Sequence, residues 1–125
     1  MTGSPALRIA SAFLDAWTAG DFEKAGTYLA DGFIFDGPIA RYRSAREFLA
    51  GSKGFVEKIT PAWTKVSAFG DDHEALLLYD LHLRTGAAMR IADRYTIGGG
   101  KIETETILWD THGSAFRAQP GRPPG

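Results

Sequence analysis

The sequence predicts an α+β fold in which helices pack on one face of a curved antiparallel sheet. Two observations predict this class: apolar residues recur at helical spacing up to Thr60, and four strand-like segments separated by turns follow. A chain of 125 residues fits one domain. We expect that domain to span residues 1–112 and a disordered Pro- and Gly-rich tail to occupy 113–125.

Helix-boundary residues mark three helices in the first half of the chain. Each begins at a side chain that can accept a hydrogen bond from the first turn, and each ends at glycine or proline. The predicted starts are Ser4, Asp21 and Ser44, and the predicted ends are Gly20, Asp31-Gly32 and Thr60-Pro61. These boundaries place Leu29 on the second helix and Ile59 on the third.

The remaining segments have the alternating pattern and turn residues of strands. A short aromatic strand is predicted at 33–35. A four-stranded meander is predicted at 63–69, 75–84, 88–97 and 101–110. Three consecutive glycines, 98–100, supply the turn before the last of these strands.

An acid on an apolar face is the sharpest chemical signal, because strand side chains alternate between faces. In segment 88–97, Asp93 is the only charged residue on a face that is otherwise apolar or aromatic. A carboxyl group among apolar neighbours favours its protonated form unless donors compensate. In segment 75–84 one face is apolar throughout, and the other becomes polar at Asp80 and His82.

Composition excludes several classes of function. The net charge is −1, from 14 basic and 15 acidic residues, so we expect neither nucleic acid nor a membrane as a partner. The absence of cysteine excludes disulfides and thiolate sites. The three histidines lack metal-ligand spacing, so no metal site is expected. No apolar run resembles a signal peptide or a membrane span, and we expect a cytoplasmic protein.

Four stretches resemble the nuclear transport factor two-like superfamily, in its SnoaL-like and ketosteroid isomerase-like branch. They are FLDAWTAGD at 13–21, LADGF at 29–33, REFLA at 46–50, and ADRY continuing to WD over 92–110. The resemblance implies a cystatin-like cone, in which a strongly curved sheet wraps around a long N-terminal helix and encloses an apolar pocket. It also implies a homodimer through the outer sheet face, for which the odd-numbered row of residues 77–83 is the candidate.

Site residues follow from the resemblance and from strand alternation. By resemblance, Asp93 falls where ketosteroid isomerase has a neutral oxyanion-hole acid, and His82, Asp80 and Glu105 face the pocket. The candidate catalytic residues are Asp93, His82, Asp36 and Glu105. The candidate substrate-binding residues are Phe13, Trp17, Trp63, Asp80, Tyr95 and Trp109. Each acid also has a structural interpretation, as a carboxylate held by buried donors, a turn residue or a solvated strand residue.

The resemblance implies an enzyme that performs acid–base chemistry without a cofactor on a small hydrophobic molecule, of the kind found in secondary metabolism. Cyclisation, isomerisation, dehydration and epoxide opening all fit. The alternative is a non-catalytic dimeric protein that binds a small ligand or acts as an accessory. A third hypothesis, a protein-docking module, requires an exposed apolar patch besides the dimer face. Two ionisable groups that converge in an enclosed pocket would favour the enzyme, whereas an Asp93 satisfied by structural donors would favour binding.

Overall fold

The computed structural model describes residues 4–109. Its elements are α1 (Pro5–Thr18), α2 (Phe22–Gly26), β1 (Leu29–Asp36), β2 (Arg41–Tyr42), α3 (Ala45–Val56), β3 (Ile59–Gly70), β4 (Glu74–Leu83), β5 (Ala88–Gly98) and β6 (Lys101–Trp109). The predicted tail at 113–125 lies outside the described residues. Within residues 4–109, no helix is long and apolar enough to cross a membrane.

The predicted capping residues begin all three helices. The side chains of Ser4, Asp21 and Ser44 each accept a hydrogen bond from the backbone N–H three residues further on. These bonds satisfy N–H groups that the first helical turn leaves without an intrahelical partner. Gly20 follows α1 with a φ of 79°, a left-handed conformation that glycine adopts without strain.

Two helix ends differ from the prediction. Helix α2 ends at Gly26 and Leu29 begins β1, while α3 ends at Val56 and Ile59 begins β3. Leu29 and Ile59 are buried in the core, as their apolar character indicates. The helical assignment was wrong because a single apolar residue fits both the last turn of a helix and the first position of a strand. Strand β1 is accordingly longer than predicted, and β2 was not predicted.

The six strands form one sheet in the order β2-β1-β6-β5-β4-β3. Strands β3 to β6 make the predicted antiparallel meander, and β1 joins β6 in parallel. Register shifts interrupt the β1–β6, β3–β4 and β5–β6 pairs, and such bulges bend strands. The result is a curved, unclosed sheet with α1 packed on its inner face, which confirms the predicted α+β class.

Strand β4 presents the opposite face to the one predicted. Leu77 pairs with Asp93 and Tyr79 pairs with Ile91, so the apolar odd-numbered row shares the inner face of β5 and is buried. The even-numbered residues of β4 therefore point to the outer face. The interpretation of row 77–83 as the dimer surface is wrong, because the helices of the same chain already cover it.

Candidate functional site

A cavity of about 350 Å³ lies between α3, the C-terminal half of α1 and the inner face of the sheet. This volume is within the range of small-molecule sites. Most of its lining is apolar or aromatic and includes Leu14, Phe35, Phe48, Phe55, Ile91 and Ile107. Glu105 and Lys58 are the charged residues in the lining. Glu105 is buried and Lys58 is exposed.

Phe48 anchors the aromatic wall from the middle of α3. Its ring centroid lies 4.8 Å from that of Phe35, 5.3 Å from that of Phe33 and 6.4 Å from that of Trp17. Tilted and stacked contacts at these distances are favourable between aromatic rings. Because three elements meet at this ring, the wall of the cavity is also part of the core.

Two carboxyl groups meet behind the apolar lining. Asp93 on β5 is fully buried and Glu105 on β6 is 4% exposed. The hydroxyls of Tyr79 and Tyr95 donate to Asp93 Oδ2 at 2.7 and 2.8 Å. The Asp93 and Glu105 carboxyls are close enough that the charge of Asp93 raises the pKa of Glu105. Asp93 Oδ1 and Glu105 Oε1 have no other hydrogen-bond partner among residues 4–109, and the two carboxyls can bond to each other only when one of them carries a proton. The sheet aligns this group, since Tyr95 pairs with Glu105 across the strands.

The protonation of this pair follows from its surroundings. Burial raises the pKa of Asp93 to about 6, although hydrogen bonds from Glu105, Tyr79 and Tyr95 oppose the increase. Burial and then the negative charge of Asp93 hold the pKa of Glu105 well above its usual range. The pair therefore retains a proton at neutral pH. A buried carboxyl pair with one retained proton is a recurrent arrangement for acid–base chemistry.

Three of the sequence-predicted site residues line the cavity, namely Glu105, Trp17 and Trp109. Asp93 lies one hydrogen bond behind Glu105 and Tyr79. Phe13 and Tyr95 are buried in the core, where their rings contact each other at 6.1 Å.

Trp63 does not line the cavity. Its indole N–H donates to Asp15 Oδ1 at 2.8 Å, and its ring packs edge-on against Tyr79.

His82, Asp80 and Asp36 lie away from the cavity. His82 Nε2 is 2.8 Å from Thr64 Oγ1, and Asp80 pairs with Arg90 at 2.6 Å, both on the outer face of the sheet. Asp36, at the end of β1, pairs with Arg41 at 3.2 Å. The placement of His82 and Asp80 in the pocket is wrong because the β4–β5 register turns even-numbered β4 residues outward.

Sequence reasoning missed two tyrosines that line the cavity. Tyr79 was assigned to an outward row, and Tyr42 lies on β2, which the sequence did not predict. The Tyr42 ring passes so close to α3 that a Cβ on Gly51 would overlap it. A helix glycine of this kind was the available signal, since it allows a neighbour to approach closely.

A metal site is not built among residues 4–109, where no cluster of three or more His, Asp or Glu side chains could hold an ion. The polar groups at the cavity are instead the carboxyl of Glu105, the ammonium of Lys58, and hydroxyl and indole groups. The arrangement can therefore bind a largely apolar molecule and exchange protons with it at one end.

The model of the SnoaL-like domain family matches residues 10–104. Because this match covers most of the chain, the protein belongs to the SnoaL-like domain family, within the nuclear transport factor two-like superfamily. A search of curated proteins gives no match.

Solved structures agree with this assignment. A Kribbella flavida DSM 17836 protein is 32% identical, with a TM-score of 0.78 and coverage of 85% of this chain and 87% of that one. An M. tuberculosis LEH-like epoxide hydrolase is 17% identical, with a TM-score of 0.72 and coverage of 86% and 84%. A protein with a ketosteroid isomerase-like fold from Catenulispora acidiphila DSM 44928, in complex with trimethylamine, is 18% identical, with a TM-score of 0.72 and coverage of 92% and 93%. The last two similarities show the fold alone.

Proposed function

We propose that the protein is an enzyme that transfers protons to and from a small, mostly apolar molecule, with no cofactor. The observation that carries this proposal is the buried Glu105 carboxyl in the lining of an apolar cavity, with the Asp93 carboxyl behind it. The proposed proton transfers include those of cyclisation, isomerisation, dehydration and epoxide opening. An epoxide hydrolase is among the proteins of similar fold. A role in secondary metabolism and a place in the cytoplasm belong to the same proposal.

The chemistry follows from the protons that the pair holds. With Asp93 titrating near pH 6 and Glu105 retaining its proton, the pair alternates between two protons and one around neutral pH. Proton-transfer groups work best when their pKa lies near the working pH. In the doubly protonated state Glu105 gives a proton to a substrate oxygen or carbon, and the remaining proton is shared with Asp93. In the singly protonated state the pair accepts a proton from the substrate.

The two acids have different positions in this scheme. Glu105 lines the cavity and is the group that meets substrate. Asp93 acts through Glu105, because the hydroxyls of Tyr79 and Tyr95 fix its carboxyl behind the lining. We assign no catalytic role to His82, because it lies on the outer face of the sheet beside Thr64. We assign none to Asp36, because it forms an ion pair with Arg41.

Substitution of Glu105 tests this function. Glu105→Gln keeps the size of the side chain and removes the transferable proton, so turnover should fall by about 100-fold or more. Hydrolysis of styrene oxide and isomerisation of 3-cyclohexenone to 2-cyclohexenone are suitable first assays for two of the reactions.

Glu103→Gln is the matched control, since Glu103 lies two residues away on the same strand and is exposed. It should retain activity within about twofold, the range of a surface substitution. An E105Q variant that turns over at the wild-type rate would remove Glu105 from the mechanism.

A binding protein without catalysis is the second candidate, and one observation favours it. Asp93 Oδ2 is already satisfied by two tyrosine hydroxyls, as expected of a structural carboxylate. The protein of similar fold crystallised with trimethylamine holds a small molecule. If the wild-type protein binds small apolar ligands but no substrate is consumed, this second candidate replaces the first.

We also propose a homodimer through the outer sheet face. Five side chains form an apolar patch there, called the outer apolar patch: Phe69, Leu76, Leu78, Ala92 and Leu108. Register connects them across four strands, since Phe69 pairs with Leu76, and Leu78, Ala92 and Leu108 pair in sequence. Phe69 and Leu108 are 68% and 63% exposed, and exposed patches of this type mark interfaces.

A further inference from the structure

We infer that Trp17 selects the ligand by donating its indole N–H to an oxygen acceptor on the bound molecule. The cavity would then prefer a molecule with a carbonyl-type oxygen to a hydrocarbon of the same shape. This inference rests on the proposed function only in taking the same cavity as the ligand site. It requires no turnover.

The indole N–H of Trp17 lacks an acceptor in the part of the chain that the structure describes. Trp17 is 9% exposed and lines the cavity, and its Nε1 has no hydrogen-bond partner among residues 4–109. Buried polar groups in folded proteins are paired in the great majority of cases. Trp63 shows the ordinary arrangement, because its N–H donates to Asp15. An unpaired buried donor in a cavity wall indicates that a bound molecule supplies the acceptor.

Neighbouring rings hold the Trp17 indole in place. Its ring stacks on Phe48 with an interplanar angle of 16° and on Phe55 with an angle of 28°. These phenyl rings offer no oxygen or nitrogen acceptor to the N–H. A donor that packing fixes in advance loses little conformational freedom when a ligand binds. Packing therefore fixes the orientation of the Trp17 indole, and a ligand oxygen reaches its covered N–H when a neighbouring side chain moves aside.

Two other polar groups in the lining are already engaged. The Ser52 hydroxyl donates to the carbonyl oxygen of Phe48 at 2.7 Å. The Glu105 carboxyl interacts with the Asp93 carboxyl behind the lining, although its Oε1 has no hydrogen-bond partner among residues 4–109. Trp17 is the better candidate for binding a ligand oxygen, because its indole N–H is a donor at every pH, whereas the Glu105 carboxyl donates only when it is protonated. Because a site with an unpaired polar group discriminates against ligands that cannot satisfy it, the expected preference is about tenfold.

A pair of isosteric probes measures this preference directly. 2-Acetylnaphthalene carries a carbonyl oxygen where 2-isopropenylnaphthalene carries a methylene group, and the two have nearly the same shape. In equilibrium dialysis the wild-type protein should bind the ketone about tenfold more tightly. Trp17→Phe should reduce that ratio to about one. Trp63→Phe is the matched control and should keep the wild-type ratio, since its N–H is bonded to Asp15.

An NMR measurement on the unaltered protein covers the case in which W17F does not fold. The chain has 3 tryptophans, so an ¹⁵N-labelled sample gives three indole N–H signals, which the W63F and W109F variants assign. The ketone should shift the Trp17 indole proton downfield, and the alkene should not.

Several results would overturn the inference: no binding of either probe, equal affinity of the wild type for both, an unchanged ratio in W17F, or loss of the ratio only in Trp109→Phe. The proposed catalysis fails separately. An E105Q variant that keeps full turnover refutes the acid–base role but leaves the binding ratio and its dependence on Trp17 intact.

Discussion

Asp93 couples the stability of the fold to pH. Burial raises its pKa from 3.8 to about 6. Between those pH values the folded protein retains a proton that the unfolded chain has released, so the free energy of unfolding falls as pH rises through this window. The difference in pKa corresponds to about 3 kcal/mol. Glu105, whose pKa burial also raises, extends the loss to higher pH.

We expect Asp93→Asn to remove the part of this pH dependence that Asp93 contributes and to leave the part that the buried Glu105 contributes. Asparagine has no carboxyl proton to release, and its side-chain oxygen can still accept from Tyr79 and Tyr95. Between pH 4.5 and 7.5, urea unfolding should show that D93N loses about 2 kcal/mol less stability than the wild type, which is the share that Asp93 contributes.

Asp80→Asn is the control for this measurement. The hydrogen bond from Arg90 lowers the pKa of Asp80, so Asp80 stays ionised in both folded and unfolded states over most of this range. D80N should keep the wild-type dependence on pH. A slope in D93N equal to that of the wild type would contradict the buried, proton-retaining state of Asp93.

At the level of single residues, the sequence identified the acid but not the groups that hold it. Asp93 was recognisable because alternation alone placed it among apolar side chains, and this part of the prediction is confirmed. Tyr79 could not be recognised as its partner. The two lie fourteen residues apart on adjacent strands, and only the pairing of Leu77 with Asp93 brings the Tyr79 hydroxyl to that carboxyl.

At the level of elements, two glycines on α3 have different reasons to be glycine. A Cβ on Gly51 would overlap the ring and hydroxyl of Tyr42, whereas a Cβ on Gly54 would meet nothing within 4 Å. Tyr42 also packs against Phe35 and Phe48, so it has little room to withdraw. Glycine inside a helix costs about 1 kcal/mol relative to alanine. Only at Gly51 does contact with a neighbour, Tyr42, explain why the helix has a glycine.

Alanine substitutions should separate the two positions. Gly54→Ala should raise the free energy of unfolding by about 0.5–1 kcal/mol, because it restores helix propensity without a clash. Gly51→Ala should lower it, because Tyr42 must move away from the aromatic wall. Chemical unfolding measures both.

A double variant identifies the cause of the Gly51 effect. In a Tyr42→Ala background the clash disappears, so G51A should become stabilising. Equal effects of G51A and G54A in the wild-type background would show that Tyr42 does not constrain this helix.

For the strands, the sequence predicts which segments are strands but not how these strands pair. All four meander strands were located, yet the inward face of β4 was not, because alternation fixes which residues share a face but not which face meets the helices. The same limit appears in β6, where a register shift after Thr96 leaves Glu103 exposed although Glu105 is buried. Alternation alone had placed these two glutamates on one face.

At the level of the whole molecule, charge and apolar surface are segregated on the outer face. Arg90 pairs with Asp80, and Arg94 with Glu74, on strands that also carry the outer apolar patch. Exposed ion pairs add little stability on their own. Beside an apolar surface they are typical of the polar rim of an interface, where they favour one orientation of the partner. A second copy of the chain carries the same patch and the same ion pairs, so the two outer faces can contact each other across a two-fold axis.

Leu108→Lys should therefore convert the proposed homodimer into a monomer. Leu108 is 63% exposed at the β6 end of the outer apolar patch, and a two-fold contact would bury a lysine there in each subunit without a matching carboxylate. Size-exclusion chromatography with light scattering at several concentrations measures the mass. Ile39→Lys is the matched control, because Ile39 is 64% exposed but lies at the cavity, and this variant should stay dimeric. A wild-type protein that is monomeric at every concentration, or an L108K variant that remains a dimer, would show that the outer apolar patch is not the dimer interface.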